Sequence, residues 1–67
     1  MTEPPQSPDD DVEDYVGLER GEAERRARSR GWSVRSVDPG AVVTAEYVFR
    51  RINFVIVDGV VSRVWKG

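Results

Sequence analysis

The sequence predicts a small α+β domain: one helix packed on a short β-sheet, preceded by an acidic tail. Three stretches carry that reading. Residues 18–30, "LERGEAERRARSR", are rich in good helix formers and free of proline and β-branched residues. Residues 32–37, "WSVRSV", alternate apolar and polar positions apart from one slip at the end, the period of a half-buried strand. Residues 52–65, "INFVIVDGVVSRVW", place two β-rich runs on either side of Asp-Gly, the turn chemistry of a tight hairpin.

The elements follow in order. Residues 1–14, "MTEPPQSPDDDVED", hold three prolines and only Met1 and Val12 as sizeable apolar groups. Six of the chain's 12 acids lie there with no base, so the stretch is expected to be a disordered tail that cannot offset its ordering entropy. Tyr15, Val16 and Leu18 then lead into the helix. Its acids come early, at Glu19, and its bases late, at Arg28 and Arg30, the order a helix dipole favours. Gly31 is placed to stop it. Ala23 and Ala27 mark a narrow buried stripe, and Gly21 weakens the helix by roughly 1 kcal/mol relative to alanine. "DPG" at 38–40 is a turn. Trp32 and Trp65 are expected to pack in the core or at its rim.

Composition removes several classes of function. With no cysteine and no histidine among 67 residues, there can be no disulfide, thiolate metal site, or Cys–His or Ser–His catalytic pair. No nucleophile, base and oxyanion donor can be assembled from the remaining residues, so the chain is expected not to be an enzyme and to need no cofactor. Nothing resembles a signal peptide or a membrane span. The expectation is a cytoplasmic protein, or a secreted one whose signal has been removed. The tail concentrates negative charge and leaves residues 15–67 with ten bases against six acids. Arg20, Arg25, Arg26, Arg28 and Arg30 could form a nucleic-acid patch. The i,i+4 pairs Glu22–Arg26 and Glu24–Arg28, without interleaved aromatics, favour a solvated helix face instead, and no nucleic acid is expected as a partner.

Residues 41–49, "AVVTAEYVF", are the ambiguous part. Propensity favours a strand in an antiparallel meander. The run does not alternate cleanly, however, and Glu46 interrupts it. Read as a loop, residues 38–51 make a connection longer than about 12 residues, a length that usually carries function. Such a loop would expose Val42, Val43, Ala45 and Tyr47 to water unless a partner covers them. The residues alone support both readings.

"PGAVVTAEY" followed by "RINFVIVD" resembles the reactive-site loop and following strand of the potato inhibitor I family of serine protease inhibitors. "YVG", the Glu/Ala/Arg helix and the strand after it are similar to the rest of that fold, so the resemblance covers residues 15–67. It implies a mixed sheet in which strands 32–37 and 52–57 run parallel, with the reactive-site loop stretched between them. It places the scissile bond between Ala45 and Glu46, inside a protease-binding loop of Val42, Val43, Thr44, Ala45, Glu46, Tyr47 and Val48. It also implies two arginines that brace the loop from the strand behind. Arg51 matches the first, where a planar guanidinium could satisfy Thr44 and Glu46 together. Asn53 stands where the second would be, which implies a softer loop that an arginine at 53 would stiffen. Arg50 points to the opposite side from Arg51.

The function so implied is substrate-like inhibition of a serine protease by a monomer. Ala45 is too small to fill a chymotrypsin pocket and carries no charge for trypsin, so a subtilisin- or elastase-like target is expected. The alternative is a small protein-interaction domain of the same fold without inhibitory activity, which the missing second arginine favours.

Overall fold

The computed structural model describes residues 11–43 and 46–67. After a 3-10 turn at Val12–Tyr15 come helix α1 (Arg20–Ser29) and strands β1 (Ser33–Val37), β2 (Arg51–Val57) and β3 (Val60–Lys66). The sheet has the order β1-β2-β3. β1 pairs in parallel with β2, Ser33 opposite Arg51 and Val37 opposite Val55. β2 pairs antiparallel with β3. The fold is thus one helix on a small mixed sheet, the α+β class expected from the sequence.

Helix α1 buries only Ala23 and Ala27. Small side chains there let the helix backbone approach the sheet closely over Ile52, Phe54 and Ile56 of β2 and Val61 of β3, all buried. Tyr15 closes one end of this core, its ring centroid 5.5 Å from that of Phe54. Both helix ends are fastened by backbone. Glu19 makes no side-chain cap at the N-terminus; instead the Arg20 N–H donates to Gly59 O of the hairpin turn at 2.9 Å. At the C-terminus Gly31 has φ +94. Its N–H donates to Arg28 O and that of Trp32 to Ala27 O, a Schellman motif that uses the left-handed glycine and drives Trp32 into the core.

The hairpin closes through Asp58 (φ 52) and Gly59 (φ 78), the paired positive φ of a type I′ turn. The register shifts between Val55 and Ile56, leaving Ser62 as an extra residue in β3. This bulge explains why "VVSRVW" does not alternate: it returns Val64 to the core face that Val61 occupies. Trp65 falls on the opposite face, beside Asn53.

A 3-10 turn at Val12–Tyr15 precedes the helix. Asp11 accepts a hydrogen bond from the Glu13 N–H at 3.1 Å, and Val12, the one apolar side chain nearby, packs against the core. Residues 1–10, the rest of the acidic tail, lie outside the described residues. The basic helix is laced internally. Arg25 and Arg26 donate to the two carboxylate oxygens of Glu22, and Arg20 and Arg28 flank Glu24. This is the solvated face expected of i,i+3 and i,i+4 pairs.

Glu24 also ties the helix to the sheet, because Ser36 Oγ of β1 donates to its Oε2 at 2.6 Å. That hydrogen bond, with Arg20 and Arg28 nearby, holds the Glu24 carboxyl below its ordinary value of 4.5. Its stabilising effect should therefore be complete above that value and fall away as the pH drops below it. The urea midpoint should decrease on acidification through this range, and Glu24→Gln should flatten that decrease. An unaltered pH dependence in the variant would mean the carboxylate does not link helix to sheet.

Candidate inhibitory loop

Parallel neighbours in register force a long connection. β1 ends at Val37 beside Val55, yet the chain must re-enter the sheet at Arg51 beside Ser33. Residues 38–50 therefore run back along the whole length of the strands. They leave β1 through a turn in which the Ala41 N–H donates to Asp38 O at 3.1 Å, with Gly40 at φ +77. They return through a second turn, where the Arg51 N–H donates to Val48 O at 3.2 Å. Among the described residues between these turns there is no strand. The described residues of the ambiguous stretch, 41–43 and 46–49, form no strand, and the parallel pairing of β1 with β2 excludes the meander.

Most of its described side chains are exposed. Val42 is fully exposed and Tyr47 is 68% exposed; Glu46 is exposed, Val43 only just so, and Val48 is half-buried. Thr44 and Ala45, and with them the first residue of the expected scissile bond, lie outside the described residues.

Behind the loop, the face of the sheet turned away from the helix supplies polar anchors. Arg51 Nη2 donates to the main-chain oxygen of Glu46 at 3.3 Å. The same guanidinium holds Gly67 O with Nη2 at 2.7 Å and Nε at 3.1 Å. The Gly67 N–H donates back to Arg51 O at 2.8 Å. Among the described residues Arg51 thus grips two main-chain oxygens, at Glu46 through the backbone and not the carboxylate; the bond expected to Thr44 lies outside the described residues. The planar fork suits two acceptors on different segments. Tyr47 completes the brace by laying its ring on Gly67: a Cβ there would lie 2.6 Å from Tyr47 Cδ2. Only glycine fits, since its φ is also +96.

Asn53 is fully buried. Its Oδ1 accepts from Arg35 Nε of β1 at 2.8 Å, and its Nδ2 donates to Trp65 O of β3 at 3.2 Å. Arg35 in turn lines a cleft of about 430 Å³ beneath the loop, together with Val43, Glu46 and Tyr47. Asn53 is therefore a cross-strand clamp that orients an arginine from the neighbouring strand. Arg35 is the residue sequence reasoning missed as part of this site. Pairing β1 with β2 in parallel puts Arg35 opposite Asn53, so the signal for Arg35 was present in the alternation of "SVRSV". Arg50 lies away from the brace, its guanidinium 5.6 Å from the centroid of the Phe49 ring.

No curated protein and no solved structure matches the chain. The model of the peptidase inhibitor I78 family matches residues 11–66. This corrects the resemblance to potato inhibitor I. The features that carried it, an apolar loop between parallel strands and an arginine directly after it, are present in the structure without fixing the family. The match brings an inhibitory role and a peptidase partner with it, since it spans almost the whole sequence: the chain belongs to the peptidase inhibitor I78 family.

Proposed function

We propose that the chain inhibits a subtilisin- or elastase-like serine protease by presenting the loop Val42–Val48 as a substrate, with Ala45–Glu46 as the scissile bond. The observation that carries this reading is the Arg51 brace, which fastens the loop's main chain at Glu46 while its apolar side chains face outward. A substrate-like loop binds tightly when little ordering entropy remains to be lost. Cleavage of Ala45–Glu46 would leave Ala45 as an acyl group on the protease serine and free the amine of Glu46. With the Glu46 carbonyl held by Arg51, that amine stays close enough to attack the acyl group and restore the peptide bond.

Ala45 supports the choice of target, because a methyl group suits a small or permissive primary pocket. Titrating the chain into subtilisin, pancreatic elastase, chymotrypsin and trypsin should abolish activity of the first two and spare trypsin. Ala45→Leu should extend inhibition to chymotrypsin, improving it by about 10- to 100-fold through added apolar contact. If neither form slows any of the four at micromolar concentration, the substrate-like reading is wrong.

A further inference from the structure

The turn that ends the loop contains a residue the fold does not ask for. Arg50 has φ 63, a left-handed conformation that glycine adopts without cost and that an L-residue with a Cβ resists. The backbone keeps it there: Arg50 O accepts from the Ser33 N–H at 2.8 Å, and Arg51 N–H closes the turn on Val48 O. Both bonds would be available to glycine. The arginine side chain does something else. It lies over the ring of Phe49, which is 51% exposed and takes no part in the core. An exposed aromatic with a guanidinium 5.6 Å above its centroid, on a strained backbone, is explained neither by packing nor by turn chemistry.

We propose that Phe49 and Arg50 form a second contact with the inhibited peptidase, on the leaving-group side of the loop, meeting an apolar shelf bordered by a carboxylate. This inference rests on the loop reading given above. Seven loop residues are well short of the roughly 20–30 per side of a stable protein–protein interface, so flanking surface must take part. The entry flank, Asp38, Pro39 and Gly40, offers no large apolar group. The exit flank offers an aromatic anchor and a cation, the residue types that dominate binding energy at interfaces. The exposed guanidinium can meet a carboxylate in bidentate fashion, and its cation–π contact with Phe49 favours that placement before binding.

Arg50→Gly and Phe49→Ala test this against whichever of the four proteases the unmodified chain inhibits most tightly. Arg50→Gly should melt no lower than the unmodified protein, yet its inhibition constant should rise about tenfold and its association rate should lose salt dependence. Phe49→Ala should weaken inhibition comparably. Inhibition by both variants equal to that of the unmodified chain would overturn the second contact and leave the loop reading standing. A lower melting temperature for Arg50→Gly, with inhibition weakened in proportion, would assign the arginine to the fold and overturn it as well. An unmodified chain that inhibits none of the four overturns both readings.

Discussion

Asn53→Arg is expected to destabilise the domain by about 3 kcal/mol or more, and not to stiffen the loop. Analogy with a two-arginine brace makes this substitution look like a repair. Its surroundings make it damage. Asn53 sits in the central strand, opposite Arg35 of β1 and Trp65 of β3, and no part of it reaches water. A guanidinium there would lose the acceptor that Arg35 uses, leaving two like charges side by side with neither satisfied. The way out is the cleft beneath the loop, whose walls already include Arg35 and Lys66. Asn53→Asp keeps an acceptor for Arg35 and adds the complementary charge, so it should be tolerated better even though it loses the donor to Trp65 O. Guanidinium denaturation of the three proteins separates the cases. An arginine variant as stable as the parent, with a loop more resistant to cleavage, would restore the sequence-based view.

The local elements were legible because each is written in a short window. Asp58-Gly59 between two β-rich runs specifies a type I′ hairpin, and Gly31 after a helical run specifies its stop. What could not be read locally was set by pairing between distant segments. The N-terminal end of α1 is capped by the carbonyl of Gly59, some forty residues on, so no cap residue marks it in the sequence. Ser62 is a bulge only in relation to β2. The candidate site divides in the same way. Arg51 was visible as an arginine just after an apolar loop, and Glu46 as its partner, but the atoms it holds were not, because main-chain oxygens at Glu46 and Gly67 leave no mark on residue type. Asn53 read as a deficit for as long as Arg35, its partner across the parallel pairing, was left out of the site. Family membership was the least legible feature. The motifs used to judge it report how a loop is suspended between parallel strands, which is a property of the topology and not of one family's sequence.

Arg51→Ala should convert an inhibitor into a substrate while leaving the fold intact. The side chain lies at the edge of the core, with Ile52 and not Arg51 facing the helix, so its removal opens no buried cavity. Loss of the bonds to Gly67 O and Glu46 O should cost about 1–2 kcal/mol of global stability. The loop should suffer more. Glu46 would lose its main-chain anchor, and Gly67, under the Tyr47 ring, would keep only its N–H bond to Arg51 O, so both residues beyond the proposed scissile bond should loosen. After acylation the amine of Glu46 could then drift from the acyl group before religating. The expected result is rapid cleavage at Ala45–Glu46, with protease activity recovering within an assay in which the parent keeps it suppressed. Arg51→Lys is the informative control. It retains the charge but replaces a planar fork by a single ammonium, which cannot hold two oxygens on separate segments in the same geometry. It should fall between parent and alanine variant, closer to the latter. Mass spectrometry of short subtilisin digests identifies the first bond cut, and the recovery of activity gives the lifetime. If the alanine variant stays intact and inhibits as long as the parent, the brace lies elsewhere, and Arg35 beneath the same loop becomes the residue to remove next.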